Sequence, residues 1–326
     1  MRESTWAALD PGKREALQRS LTVSGAGSVL LQTNINKVVQ QLTLRQFGLQ
    51  AVLDRRPGSG NAAYINRRTA GTSGGVWVAD TDAATEETGT PAQTSFAYKT
   101  LLTRMRVTRK LQATARSYGD ALALELIGKT EDFANAYEDG CVNGDAAHFT
   151  NQFSGALTLI NAVSSQVVAN STLTTGGALS LAKLDEAIDV VRGAGNRSDL
   201  VIVASFNGAR KLNAALQAQQ QFFNMTEIAA GFRVRTYDTI PIVISTQIGN
   251  ALTWSGSSLT AFTGGSTTAF IILNRRYCWL EELTPTTVMP LAKSTSQYDE
   301  ADIYNDSAFV YANTLGGAIL GGIAGS

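Results

Sequence analysis

The chain is poor in the residues that most catalytic and metal sites use. Of its 326 residues two are cysteine, Cys141 and Cys278, and one is histidine, His148. Both cysteines sit in apolar stretches, so the sequence predicts no disulfide framework and a reducing compartment. A single histidine with no cysteine pair beside it makes a weak metal site, and no cofactor is expected. No basic segment leads into an apolar run at the amino terminus, so no signal peptide is read there. The apolar run Leu315 to Gly325 is too short and glycine-rich to span a bilayer, and no membrane partner is expected. Net charge is also lacking: 27 Lys and Arg balance 27 Asp and Glu. A neutral chain is a poor candidate for tight, salt-sensitive binding to nucleic acid, and its charge does not oppose self-association. No internal repeat is visible.

What is present is a strand that runs into a helix between Phe96 and Asp145. Leu101, Met105, Val107, Leu111, Ala113 and Ala115 alternate with Arg104, Arg106, Thr108, Lys110, Gln112 and Thr114. That is the period of a strand with one buried and one wet face; Leu102, Thr103 and Arg109 break it. The period then changes, with Ser117 or Asp120 placed to cap a helix. Leu122, Leu126, Phe133, Tyr137 and Cys141 follow at helical spacing, and Leu124, Ile127 and Ala134 widen the stripe. Asn143-Gly144-Asp145 closes it with residues that tolerate a left-handed backbone. Such a helix is about 35 Å long.

Ahead of this pair the chain reads as an arm, with an amphipathic helix over Asn34 to Leu53 and a break at Pro57 to Gly60. A segment of about forty residues follows without a core of its own, which is uncommon unless functional. Ala62 to Arg68 reads as its outgoing limb, Thr69 to Gly75 as a Gly/Ser/Thr tip, and the return limb begins near Ser95. A two-stranded projection is barely stable alone, so another copy of the chain is expected to support it. Asp80, Asp82, Glu86 and Glu87 on it lack the glycine and the terminal glutamate of a calcium loop. They are expected to be solvated or to meet a neighbour's arginines, such as Arg67, Arg68 or Arg104. Trp77 is expected at an interface, since its loop offers no local core; Trp254 and Trp279 fit core or interface equally.

Beyond the long helix, Ser180 is placed to cap a helix through Leu181, Leu184, Ile188 and Val191. Leu200 to Val203 reads as a buried strand, Asn207 to Leu216 as a helix, and Thr239 to Ile244 as a second buried strand. This alternation predicts an α/β unit over 155–249. Ala269 to Leu273 and Tyr277 to Leu283 are expected to pair antiparallel about Arg275-Arg276, and Tyr298 to Leu315 to be a strand and irregular chain. Gly316 to Gly322 has nearly phosphate-loop spacing but no Lys-Ser/Thr after it, and reads as a close-packed strand or tail. Gly71-Thr72-Ser73-Gly74-Gly75 matches the hydrolase nucleophile pattern, but no helix follows it. A loop tip is expected, and no enzyme.

The ordered set resembles the major capsid proteins of tailed bacteriophages, the Hong Kong phage shell fold shared with encapsulins. The resemblance rests on Trp77 to Ser95 before a strand, the step Arg116 to Asp120, the end at Asn143-Gly144-Asp145, the buried strand with a small helix over Val201 to Leu216, and the Pro-containing strand Ile240 to Ser245. It implies an α+β fold: an N-terminal arm and helix (1–56), an extended β-hairpin loop (57–99), a peripheral domain with a long spine helix (100–154 and 250–326), and an axial α/β domain (155–249). It implies a shell of pentamers and hexamers around double-stranded DNA held without sequence specificity, or alternatively an encapsulin-type compartment. The implied place is the virion capsid, assembled in the host bacterial cytoplasm, with scaffold, portal and decoration proteins as partners. Inter-subunit contact would fall to Arg67, Arg68, Trp77, Asp80, Asp82, Glu86 and Glu87, and the spine to Leu122, Leu126, Phe133 and Tyr137. Covalent cross-linking is not expected, because no lysine lies between Arg55 and Tyr98. About fifty residues before the loop are too few for a helical scaffold domain.

Overall fold

Two β-sheets and one long helix share a single core. The computed structural model describes residues 48–68, 77, 79–80, 89–115, 121–218, 224–229, 232–291 and 297–325. The expected arm, the first fourteen residues of the helix expected over Asn34 to Leu53, and the step Arg116 to Asp120 lie outside them.

The larger sheet holds seven strands. In spatial order they are β5 (Val167–Ala169), β15 (Gly317–Ala324), β12 (Thr267–Asn274), β6 (Leu200–Ala204), β9 (Ile240–Ile244), β8 (Phe232–Tyr237) and β7 (Asn224–Ala229). β6 and β12 are buried along their whole length, as continuous apolar runs covered on both faces must be. Alternation sends Val201, Val203, Ile271, Leu273 and Ile319 to one side and Leu200, Ile202, Phe270, Ile272 and Leu320 to the other. Helices α5 (Leu181–Val190) and α6 (Phe206–Ala218) cover the second side through Leu184, Ile188, Leu212 and Leu216. Ser205 caps α6, its buried Oγ accepting the Gly208 amide at 3.0 Å. Ser180 precedes α5 as expected, but its hydroxyl makes no cap bond.

The smaller sheet runs β1 (Asp54–Pro57), β13 (Cys278–Pro290), β14 (Tyr298–Tyr311) and β4 (Lys99–Thr108). β14 extends over about 45 Å at 3.3 Å per residue. The expected strand ends at Thr108, short of Ala115. Arg109–Ala115 is a helix, α2, because the Thr108 Oγ accepts the Leu111 amide at 3.2 Å and turns the chain. Leu111, Ala113 and Ala115 had matched the strand parity without belonging to it. The long helix is α3 (Ala121–Asn143). Its C-terminal half buries Phe133, Tyr137, Cys141 and Val142 between the sheets, and it is followed by α4 (Ala156–Asn161).

Three expectations are corrected. β12 and β13 do not pair; Arg275 to Tyr277 carries the chain from one sheet to the other. The return crossing lies beside it, with Ala312 N donating to Tyr277 O at 2.8 Å and Asn274 N to Gly316 O at 2.9 Å. In consequence β12 and β15 pair with the strands of the α/β unit, so a boundary that assigns 250–326 wholly to the other unit cuts through one sheet. Gly144 is not left-handed. It is glycine because a Cβ there would stand 2.3 Å from the Phe153 carbonyl oxygen, where the chain folds back against the helix end. Gly317 to Ala324 is a strand, as read, and Gly321 lies close to the Trp254 ring.

Candidate assembly surfaces

The projection expected over 57–99 is a hairpin of β2 (Ala62–Arg68) and β3 (Pro91–Ala97), paired from Ala62 opposite Ala97 to Arg68 opposite Pro91. Its return limb therefore begins four residues earlier than Ser95. Its root has a core, against expectation. Ala63 packs with Trp279 and Val310, and Ile65, Phe96, Tyr98 and Ala312 close around them. Period two explains this: Ala63, Ile65 and Phe96 share the face turned to the body. Tyr98 donates to Glu281 at 2.5 Å, and burial with that carboxylate pushes its phenol up to about 12.

Arg67 is held by its own chain, donating to the carbonyls of Ala312 at 2.7 Å and Tyr311 at 2.5 Å. Arg104 is likewise engaged, forked onto Asp302 at 2.7 and 2.8 Å. Arg68 and Asp80 are exposed, and Trp77 is fully so. Asp82, Glu86, Glu87 and Ser73 lie outside the described residues. His148 sits on an exposed turn against Asp145, 3.1 Å away. Among the described residues no cluster of His, Cys, Asp and Glu could hold a metal, and no helix is long and apolar enough to cross a membrane.

The outer face of β4 and β14 is a ladder of in-register polar pairs. Thr100 faces Asp306 at 2.5 Å, Arg104 faces Asp302, and Arg106 faces Glu300 at 2.7 Å. Arg106 also lies over the Tyr298 ring, 4.6 Å from its centre. The Arg104 guanidinium holds the Asp302 carboxyl below the usual range. The inner face, with Leu101, Met105 and Val107, meets α3 and the core.

α3 divides at its middle. Phe133 and Tyr137 stack with ring centres 6.5 Å apart and are buried. Leu122 and Leu126 are half-buried, while Leu124 and Ile127 on the widened stripe face solvent. Leu102 on β4, Leu111 on α2, and Val288 and Met289 at the far end of β13 are exposed as well.

Sequence reasoning missed Glu138. It lies four residues after Ala134, within the widened apolar stripe, and a carboxylate in such a stripe is the signal that could have found it. Fully buried, it accepts the amides of Leu49 at 2.8 Å and Gln50 at 2.9 Å and the Ser245 hydroxyl at 2.7 Å. Burial raises its pKa against the pull of those donors.

A long helix wedged between a seven-stranded sheet and a long narrow one, with a hairpin standing off the edge, is the architecture of shell-building subunits. Solved capsid and compartment shells share this fold. The capsid of a native GTA particle matches with a TM-score of 0.68 at 16% identity over 93% of this chain and 98% of that one. The holo-SrpI encapsulin complex of Synechococcus elongatus PCC 7942 matches at 0.67 and 12% over 94% and 98%. The cyanophage A-1(L) capsid matches at 0.67 and 14% over 91% and 98%. The chain belongs to the SU10 major capsid protein family, whose model matches residues 67–324. No curated protein matches it.

Proposed function

We propose that this major capsid protein assembles as pentamers and hexamers into a closed icosahedral shell around double-stranded DNA. It does no chemistry. Assembly is geometric: plates join around rotation axes through heterologous contacts, and many weak contacts add by multivalency. The outer hairpin, with Arg68, Trp77, Asp80, Asp82, Glu86 and Glu87, lies over an adjacent copy, and the N-terminal arm reaches another. Arg67 serves the hairpin from below, as part of its root. The neutral chain lets packaged DNA slide rather than stick. Scaffold, portal and decoration proteins complete the particle, which forms in the host bacterial cytoplasm.

The observation that carries this reading is a hairpin rooted in its own body while Tyr64 and Trp77 on it stay exposed. Electron microscopy of the purified protein, followed by nuclease and protein analysis of the particle contents, tests it. Closed particles that protect double-stranded DNA are expected in infected cells. Particles filled with a cargo protein would establish the encapsulin-type compartment instead.

A further inference from the structure

The segment Gly48 to Gly58 is a strap across three parts of the molecule. Its second half is held by many bonds: β1 pairs in parallel with Trp279 to Glu282, Gly58 N donates to Glu282 O at 2.8 Å, and Arg56 lies 4.0 Å over the Trp279 ring. Its first half is a helix of five residues, Gly48–Val52. Helices that short do not form unaided. Buried Leu49 and Leu53 contribute burial there, but apolar contact is non-directional and does not fix a register. The polar anchors of this half lie on α3: Glu138 takes both the Leu49 and the Gln50 amides, and the Gln50 side chain adds a longer bond to the Ala134 carbonyl at 3.3 Å. Glu138 also accepts the Ser245 hydroxyl, just past β9.

The neighbouring side chains tie the same three parts together. Gln247 donates to Asn135 at 2.8 Å, and Asn143 donates to the Gln247 carbonyl at 2.9 Å. Gly48 passes so close to β9 that a Cβ would stand 2.4 Å from the Ile244 carbonyl oxygen. A buried carboxylate costs desolvation, and such groups are in some proteins retained for the specificity they impose.

We propose that Glu138 is a positioning residue, the polar lock that holds the first half of the strap, Gly48 to Val52, in register against α3 and β9. Without it the first half of the strap detaches while the sheets stay intact. The inference concerns the isolated subunit, so it stands or falls separately from the shell reading.

Hydrogen-exchange mass spectrometry on the full-length chain tests it. In Glu138→Gln the Leu49 and Gln50 amides should exchange about 10- to 100-fold faster, the loss expected for hydrogen bonds to a charged group. Peptides from β6 and β12 should keep wild-type protection. Unchanged exchange at Leu49 and Gln50, or an equal loss of protection everywhere, would overturn the proposal. Should that variant fail to fold, Glu138→Asp gives the same readout with the charge kept and withdrawn by one methylene; wild-type protection there would also overturn it. Ser245→Ala leaves the strap amides bound and should leave their exchange unchanged. A loss there as large as in Glu138→Gln would count against the proposal.

Discussion

Asp302 and Glu138 respond to pH with opposite sign. Arg104 holds the folded pKa of Asp302 down, so the stability it contributes is present above its unfolded pKa and is lost as pH falls through the folded value. Burial raises the folded pKa of Glu138, so stability declines as pH rises from the unfolded to the folded value. Thermal melts from about pH 3 to pH 7, a span that includes ordinary carboxylate values, separate the two. Asp302→Asn should lower Tm near neutrality and flatten the acid loss. Glu138→Gln should remove the decline above the ordinary glutamate range. Gly144 gives a steric test at the same scale. Gly144→Ala drives a methyl into the Phe153 carbonyl and should cost about 1–3 kcal/mol, as overpacking does, read from the urea midpoint.

The hairpin is tied to the body by apolar packing at Ala63, Ile65 and Phe96 and by the two carbonyl bonds of Arg67. Arg67→Ala should leave the Tm nearly unchanged and speed proteolytic cleavage within 69–90; unchanged cleavage would mean the packing alone holds it. This element also marks where reading a sequence succeeds and fails. The alternation through Met105 and Val107 gave the strand and its faces, and the stripe through Phe133, Tyr137 and Cys141 gave the long helix with its end at Asn143. The continuous run at Leu200–Ala204 is a fully buried strand, and that at Ile240–Ile244 a strand only partly buried. Pairing was less legible. Nothing local in Asn274 to Tyr277 tells a hairpin from a crossing between sheets, because both need the same tight turn. The root of the hairpin was hidden for a related reason: Ala63 and Ile65 look unremarkable until Trp279 and Val310, more than two hundred residues away, are placed beneath them. Pairing of an outward arginine with a carboxylate across the sheet, as for Arg104 and Asp302, is equally non-local.

At the scale of the molecule, one core joins both sheets and α3, since Cys278, Leu280 and Phe309 share it with Val203, Ile271 and Ile319. The described body of the subunit is therefore expected to act as a stiff plate. Removing residues 71–87 should leave the core packing and the urea midpoint within about 0.5 kcal/mol of the parent, as for changes remote from the core, while closed shells no longer form. The most direct test of the whole account is cryo-electron microscopy of the assembled protein. Closed icosahedral particles are expected, with the hairpin beyond Arg68 and Pro91 resting on an adjacent copy. A hairpin folded wholly onto its own body, with no contact between copies, would contradict it.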